Sequence, residues 1–303
     1  MKKISALAES FSRGLAKLKL EYVKRKKEAE ERRKKQALIR KKQQKHPFHL
    51  VDPSPWPMLV SQGAYIAVVG CVSHWQQEPK GFPVFTVGAM LMGASIFGWC
   101  RDIIREGTFE GHHTKAVQRG LRIGVCLFIV SEAMFFLALF WAFFHSSLSP
   151  VPEIGGVWPP KGIATVDPWK IPLANSFILI YSGISVTWAH RAILVGDREQ
   201  AIEGLGLAVL LACLFTLLQL IEYGIAPFSA KDSVYGALFY LITGSHGFHV
   251  FVGTAFLVVC LGRLVSCHFT RQHHVGFEAA SWYWHFVDAI WILVFVIVYW
   301  WGS

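Results

Sequence analysis

From residue 57 onward, apolar positions dominate seven long segments, at about 57–75, 82–105, 119–148, 171–194, 203–224, 234–264 and 276–301. A helix rises 1.5 Å per residue and a bilayer core is about 30 Å thick, so roughly 20 apolar residues cross it. Every segment meets that length, and the third and sixth leave residues over for tilt. Short polar or proline-containing stretches separate them, such as Gln77-Glu-Pro-Lys-Gly81, Gly155-Gly-Val-Trp-Pro-Pro-Lys-Gly162, Gly196-Asp-Arg-Glu199 and Pro227-Phe-Ser-Ala-Lys-Asp232. The pattern predicts an all-α membrane protein with seven transmembrane helices and its termini on opposite sides.

The segment before residue 46 has a different character. Ile4, Leu7, Phe11, Leu15 and Leu18 recur at helical spacing among basic residues, as in a targeting presequence or an interfacial helix. Lys24 to Lys35 is strongly polar and contains Glu28, Glu30 and Glu31, which transit peptides usually lack. Residues 1–45 are therefore expected to form a solvated, partly helical basic N-terminal extension. Residues 46–56 are punctuated by prolines and end in Trp56, suited to a membrane interface, so the membrane domain is taken as 46–303.

Composition agrees: of 303 residues, 53% are hydrophobic and 17% charged, with a mean hydropathy of +0.39. The formal charge of +10 would suggest nucleic acid or acidic lipid if it were spread over the surface. It is concentrated instead: the first 45 residues hold 17 of the 30 Lys and Arg and 5 of the 20 Asp and Glu. Beyond the arm, Arg101, Arg105, Lys115, Arg119, Arg122, Arg191, Arg198, Arg263 and Arg271 fall on the side of the N terminus, against Lys80, Lys161, Lys170 and Lys231 opposite. The positive-inside rule puts the N terminus in the cytoplasm, or in the matrix of a mitochondrion. Cys71, Cys100, Cys126, Cys213, Cys260 and Cys267 stand singly and read as small buried residues.

Against this apolar background, one carboxylate stands out. Glu132 lies about 15 Å of helix from Arg122 and about 20 Å from His145, near the bilayer centre. An ionised acid there costs roughly 2.5–3.5 kcal/mol, so Glu132 is expected to be protonated, paired, or turned toward a polar cavity. A proton relay and a purely packing role both remain open. Arg101, Arg105, Glu106, Glu110, His112 and His113 end the second span at headgroup level, where guanidinium and imidazole suit lipid phosphate, although snorkelling explains them equally. His246 and His249 in the sixth span, and His285 and Asp288 in the seventh, share helix faces. Interhelical hydrogen bonds, with Gly244 and Gly247 allowing close helix approach, are favoured over a haem or metal site. His273-His274 and His190-Arg191 read as interfacial.

Longer motifs add to this reading. Trp99-Cys-Arg-Asp102, Arg105-Glu106, Gly111-His-His-Thr114, Phe128-Ile-Val-Ser-Glu132, Trp141-Ala-Phe-Phe-His-Ser-Ser147, Gly156-Val-Trp-Pro-Pro160, Val186-Thr-Trp-Ala-His190, Gly244-Ser-His-Gly-Phe-His249, His274-Val-Gly-Phe-Glu278 and Trp282-Tyr-Trp-His-Phe-Val-Asp288 occur in order. From about His46 to Gly302 the chain closely resembles the subunit III family of mitochondrial cytochrome c oxidase. The resemblance implies two-helix plus five-helix bundles separated by a V-shaped lipid cleft. It implies no catalytic residue, haem, copper or other metal in this chain, those cofactors belonging to partner subunits. It implies direct packing on subunit I, with subunit II and accessory subunits in the same complex, structural phospholipids, no nucleic acid, and a mitochondrial inner membrane location. Cytochrome c would supply electrons, oxygen would become water, and protons would be pumped, with this subunit supporting proton uptake and stability. Residue by residue, Glu132 matches a buried carboxylate beside the cleft. Trp99, Arg105, Glu106 and His113 match one lipid-binding group, and Arg263 with His268 a second. The chain departs from the family at Cys100, where a second tryptophan is common, at Ser266, where animal relatives carry a basic residue, and in its long basic arm.

Two rival readings follow from the residues alone. One is a stand-alone proton-coupled transporter using Glu132, which would favour an internal repeat or paired half-helices; neither is evident. The other is a haem-binding membrane oxidoreductase using His246, His249 and His285.

Overall fold

The computed structural model describes residues 46–303 together with Glu21, Lys24, Arg25, Lys27, Glu28, Glu31, Arg32 and Lys35 of the arm. Those eight are helical and exposed, and Arg25 pairs with Glu21 one turn away. The apolar positions from Ile4 to Leu18, expected to form a presequence or interfacial helix, lie outside the described residues.

Among the described residues, seven helices are long and apolar enough to cross a membrane. They are α1 (Trp56–Trp75), α2 (Gly81–Arg105), α3 (Lys115–Leu148), α4 (Ile171–Val195), α5 (Arg198–Ile225), α6 (Val234–Val265) and α7 (Val275–Val294). Wider π-helical turns extend α2 over Glu106–Glu110 and α7 over Phe295–Trp301. No strand occurs among the described residues; Thr270 and His273 make one isolated bridge.

Helix ends follow local chemistry more closely than hydropathy. The apolar run of α5 starts near 203, yet the helix begins at Arg198, because the Asp197 carboxylate accepts from the Gln200 N–H and caps the first turn. Gly196, at φ 90°, has just ended α4. At the far end of α6 the chain turns at Cys267 (φ 62°), and the His268 N–H returns to the Arg263 carbonyl at 2.9 Å. Arg198 Nε donates to the Leu264 carbonyl at 2.9 Å and its Nη2 to that of Val265, placing a cation at the negative end of α6.

The chain divides into two compact units, one running to Gly120 and the other from Leu121 to Ser303. The first is built on α1 against α2. Gly63, Ala67 and Gly70 of α1 and Gly81, Gly88, Ser95 and Gly98 of α2 are buried. A Cβ added to Gly88 would lie 2.2 Å from the Ala67 backbone nitrogen, and one on Gly70 2.1 Å from that of Phe85. Such backbone proximity is the membrane mode of helix packing, in which lipid removes the usual hydrophobic drive and dispersion must serve.

The second unit surrounds a core from α3 to α7 with Phe136, Phe143, Phe215, Phe239, Trp284, Trp291 and Tyr299 fully buried. Helices α4 and α5 pack closely, with the Ser182 hydroxyl donating to the Ala208 carbonyl at 3.1 Å. Helix α3 is joined to its neighbours by long side chains. Phe136, Phe140 and Phe143 recur at i, i+4 and i+7 on its buried face, with Phe136 edge-on to Phe286 and Phe143 edge-on to Trp158. Gly244 and Gly247 face open space; the close approach on α6 is at Gly253, where a Cβ would stand 2.8 Å from the Trp284 ring. The glycines of the Gly-Ser-His-Gly motif thus do not mediate helix contact, contrary to expectation.

Gly88→Leu should drive α1 and α2 apart at a cost of about 1–3 kcal/mol or more, whereas Gly93→Leu, whose Cβ meets nothing within 4 Å, should be neutral. Limited proteolysis of the 76–80 turn would report the difference, and equal cleavage of the two variants would contradict this packing.

Candidate functional site

The mid-membrane acid is paired. Glu132 Oε2 lies 2.7 Å from His249 Nε2 of α6, the two side chains 24% and 9% exposed. The other ring nitrogen, Nδ1, lies 2.7 Å from the Ser245 carbonyl one turn earlier. A carbonyl oxygen only accepts, so Nδ1 carries a hydrogen. One proton is then left between Nε2 and Oε2. Whether it resides on nitrogen or oxygen, the pair has no net charge, which removes the penalty a lone carboxylate would incur. Phe136 meets the His249 ring edge-on at 4.9 Å, and Phe135 and Tyr283 stack near it.

A second polar group joins the beginnings of α3 and α7 to the end of α4. Arg122 Nε and Nη2 donate to the two Glu278 oxygens at 2.6 and 3.1 Å, a bidentate fork. Glu278 Oε1 also lies 3.2 Å from His274 Nε2, and His274 in turn meets His190 ring to ring at 5.4 Å. His274 is 5% exposed, and the Nε2 of His190 is buried without a hydrogen-bond partner. These two histidines, read from the sequence as interfacial, form a polar cluster with the Arg122–Glu278 pair at the ends of their helices. His190, His274 and Glu278 each place one potential ligating atom within 4.8 Å of the others, the one such grouping of three among the described residues.

The lipid-binding candidates fall in both units. At the end of α2, Arg105, with a side chain 71% exposed, pairs with Glu110 at 2.9 Å, and His112 lies 3.5 Å from the same carboxylate. The turn is closed by Gly111 (φ 72°), with the His112 N–H donating to the Glu106 carbonyl at 3.1 Å. The His113 imidazole packs over Gly107, where a Cβ would clash at 2.6 Å, and His49 stacks on His112 at 4.5 Å. Trp99 is exposed on the preceding turns, while Trp56 Nε1 donates to Asp102 at 2.6 Å. In the second unit, the Arg263 guanidinium lies 4.4 Å above the Phe269 ring, and the turn at Cys267 returns the His268 backbone N–H to the Arg263 carbonyl.

The remaining histidines occupy separate surroundings. His246 is fully buried between Phe215 and Trp291. His285 meets Thr187 Oγ1 at 3.2 Å and lies 3.8 Å from Asp288, whose carboxylate fits over Gly183 of α4. His246, His249 and His285 therefore do not converge. One buried carboxylate escaped the sequence reading: Glu222, 1% exposed, accepts from Tyr299 Oη at 2.6 Å and Gln219 Nε2 at 3.0 Å. Its spacing of three from Gln219 placed both on one face of α5, a signal that was available.

The profile of the family described as Cytochrome c oxidase subunit III matches residues 46–303. Among curated relatives, cytochrome c oxidase subunit 3 of Prototheca wickerhamii is 56% identical over 260 residues, covering 86% of this chain and 99% of the relative. The Triticum aestivum protein of the same name is 56% identical, covering 86% and 98%, and that of Cyprinus carpio 52%, covering 86% and 99%. In each case the alignment accounts for nearly all of the relative.

Tyr299→Phe removes one of the two donors to Glu222 and should destabilise the second unit by about 1–2 kcal/mol. Thermal unfolding of the purified protein in its complex checks this, and an unchanged midpoint would count against a contribution from this network.

Proposed function

The chain belongs to the cytochrome c oxidase subunit III family and is a subunit of that oxidase complex, and from this premise we propose that it acts as a non-redox core subunit. In this reading haem and copper are held by partner subunits. The chain packs directly on subunit I, alongside subunit II and accessory subunits, and supports proton uptake and stability while electrons from cytochrome c reduce oxygen to water. The observation that carries the reading is the Glu132–His249 pair: it keeps a polar, proton-holding group in mid-membrane without net charge. Each histidine considered as a haem ligand has a different environment, with His249 engaged by Glu132 and His285 by Thr187.

The same reading places the chain in the mitochondrial inner membrane with its N terminus in the matrix. The excess of basic residues on that side supports it. Phospholipid headgroups are assigned to Trp99, Arg105, Glu106 and His113 in the first unit and to Arg263 and His268 in the second. The support is chemical: the Arg105 guanidinium is largely exposed, shares Glu110 with the His112 imidazole, and keeps donors that can take phosphate in hydrogen bonds.

Glu132→Gln should assemble at close to the wild-type level, because the amide can donate to Nε2 while Nδ1 still serves Ser245. Glu132→Lys brings a net charge to mid-membrane and should cost roughly 2.5–3.5 kcal/mol, and His249→Ala, which strands the acid, about 1–3 kcal/mol. Yield of assembled complex measures all three; a Lys variant that assembles while the Gln variant fails would refute the neutral-pair account. Arg105→Ala should lower the phospholipid retained by the purified complex, and an unchanged lipid phosphorus content would remove Arg105 from the headgroup site.

A further inference from the structure

We propose that His190, His274 and Glu278 form a site for a divalent transition-metal ion, with zinc the best match to the donor set. The ligating atoms all lie within 4.8 Å of one another. Two ligands bound at about 2.0–2.1 Å in a tetrahedral zinc site are separated by about 3.3 Å. The 3.2 Å between His274 Nε2 and Glu278 Oε1 already has that spacing, so the His190 ring has to close the remaining gap.

The tautomer of His274 points to a cation. Its Nδ1 lies 3.0 Å from the Thr270 carbonyl, which can only accept, so Nδ1 carries a hydrogen and, when the ring is neutral, a lone pair is presented at Nε2. That lone pair faces a carboxylate oxygen, and the nearby His190 Nε2 is buried with no hydrogen-bond partner. A proton or a metal ion between Nε2 of His274 and the carboxylate would satisfy both, and a metal ion would engage His190 as well. A backbone carbonyl holding the distal N–H of a histidine is also the usual outer support of a metal-bound imidazole. Arg122 does the corresponding work for Glu278: its fork takes one acceptor position on each oxygen and fixes the plane of the carboxylate, leaving further lone pairs available.

Two imidazoles and one carboxylate leave the fourth tetrahedral position to water, as in other sites with this donor set. The location allows entry from an aqueous phase. His190 and Arg122 are only partly buried, and the cluster lies where α4 ends and α7 begins. The competing occupant is a proton on His274, which would make an ion pair with Glu278 and need no metal.

The test uses the intact purified oxidase complex, stripped with a chelator and equilibrated with radioactive zinc at micromolar concentration. The wild-type complex should retain one zinc per subunit more than His274→Ala and one more than His190→Ala, while His273→Ala should retain the wild-type amount. Equal retention by all four would overturn the proposal in favour of the proton. A measurement that needs no variant guards against misassembly: zinc-edge anomalous scattering from the wild-type complex should give a peak between the His190 and His274 rings. No peak there at saturating zinc would equally overturn it. Neither result depends on Glu132 or on any role in proton uptake.

Discussion

The proton between Glu132 and His249 is the interaction on which the second unit depends most directly. Helix α3 is the longest among the described residues, and its buried face is a strip of phenylalanines that would slide against aromatic neighbours with little penalty. Dispersion between rings is strong in sum but weakly directional. The short contact between α3 and α6 is directional, and the His249 side chain that makes it is only 9% exposed. Ten residues earlier, the Arg122 fork to Glu278 joins α3 to α7. Moving α3 by a turn would break both contacts and leave charged or polar groups stranded in an apolar medium. The aromatic strip supplies adhesion and the two polar contacts supply register.

The first unit solves the same problem without polar pairs in its crossing. Small residues let the backbones of α1 and α2 approach until side chains beyond Cβ are excluded. The interface is therefore specified by shape, and the Trp56 to Asp102 hydrogen bond secures one end of it. Packing in the second unit is mixed: α4 and α5 combine a hydroxyl-to-carbonyl bond at Ser182 with close approach at Gly204, while α6 receives the Trp284 ring over Gly253.

Much of this was legible in the chain itself. Apolar run lengths gave the seven spans, because backbone hydrogen bonding in hydrocarbon leaves few alternatives to a helix. A single acid in the third run announced itself by its cost. Its partner did not, since His249 is 117 residues away and the sequence offers no measure of which helix faces which. Arg122 could be counted as loop charge but not foreseen as the clamp on Glu278. His190 and His274 read as interfacial from their place at span ends, which does not reveal that they meet each other and Glu278. The glycines beside His246 and His249 illustrate the reverse error, for a small residue marks a close approach only where a neighbour arrives. The motifs shared with the oxidase subunit identified the family, yet could not reveal these contacts.

The glycine seam of α1 and α2 has a consequence for how that unit is solvated. With its small residues spent on the crossing, the bulky ones, among them Tyr65, Phe82, Met90 and Phe97, are turned outward and exposed. The pair is inside-out relative to a soluble protein: its greasiest surface is its exterior, and its interior holds scarcely any side-chain volume. Little is gained by squeezing water from between helices whose contact faces carry so little side chain, and an apolar medium around the pair would supply the other half of its core.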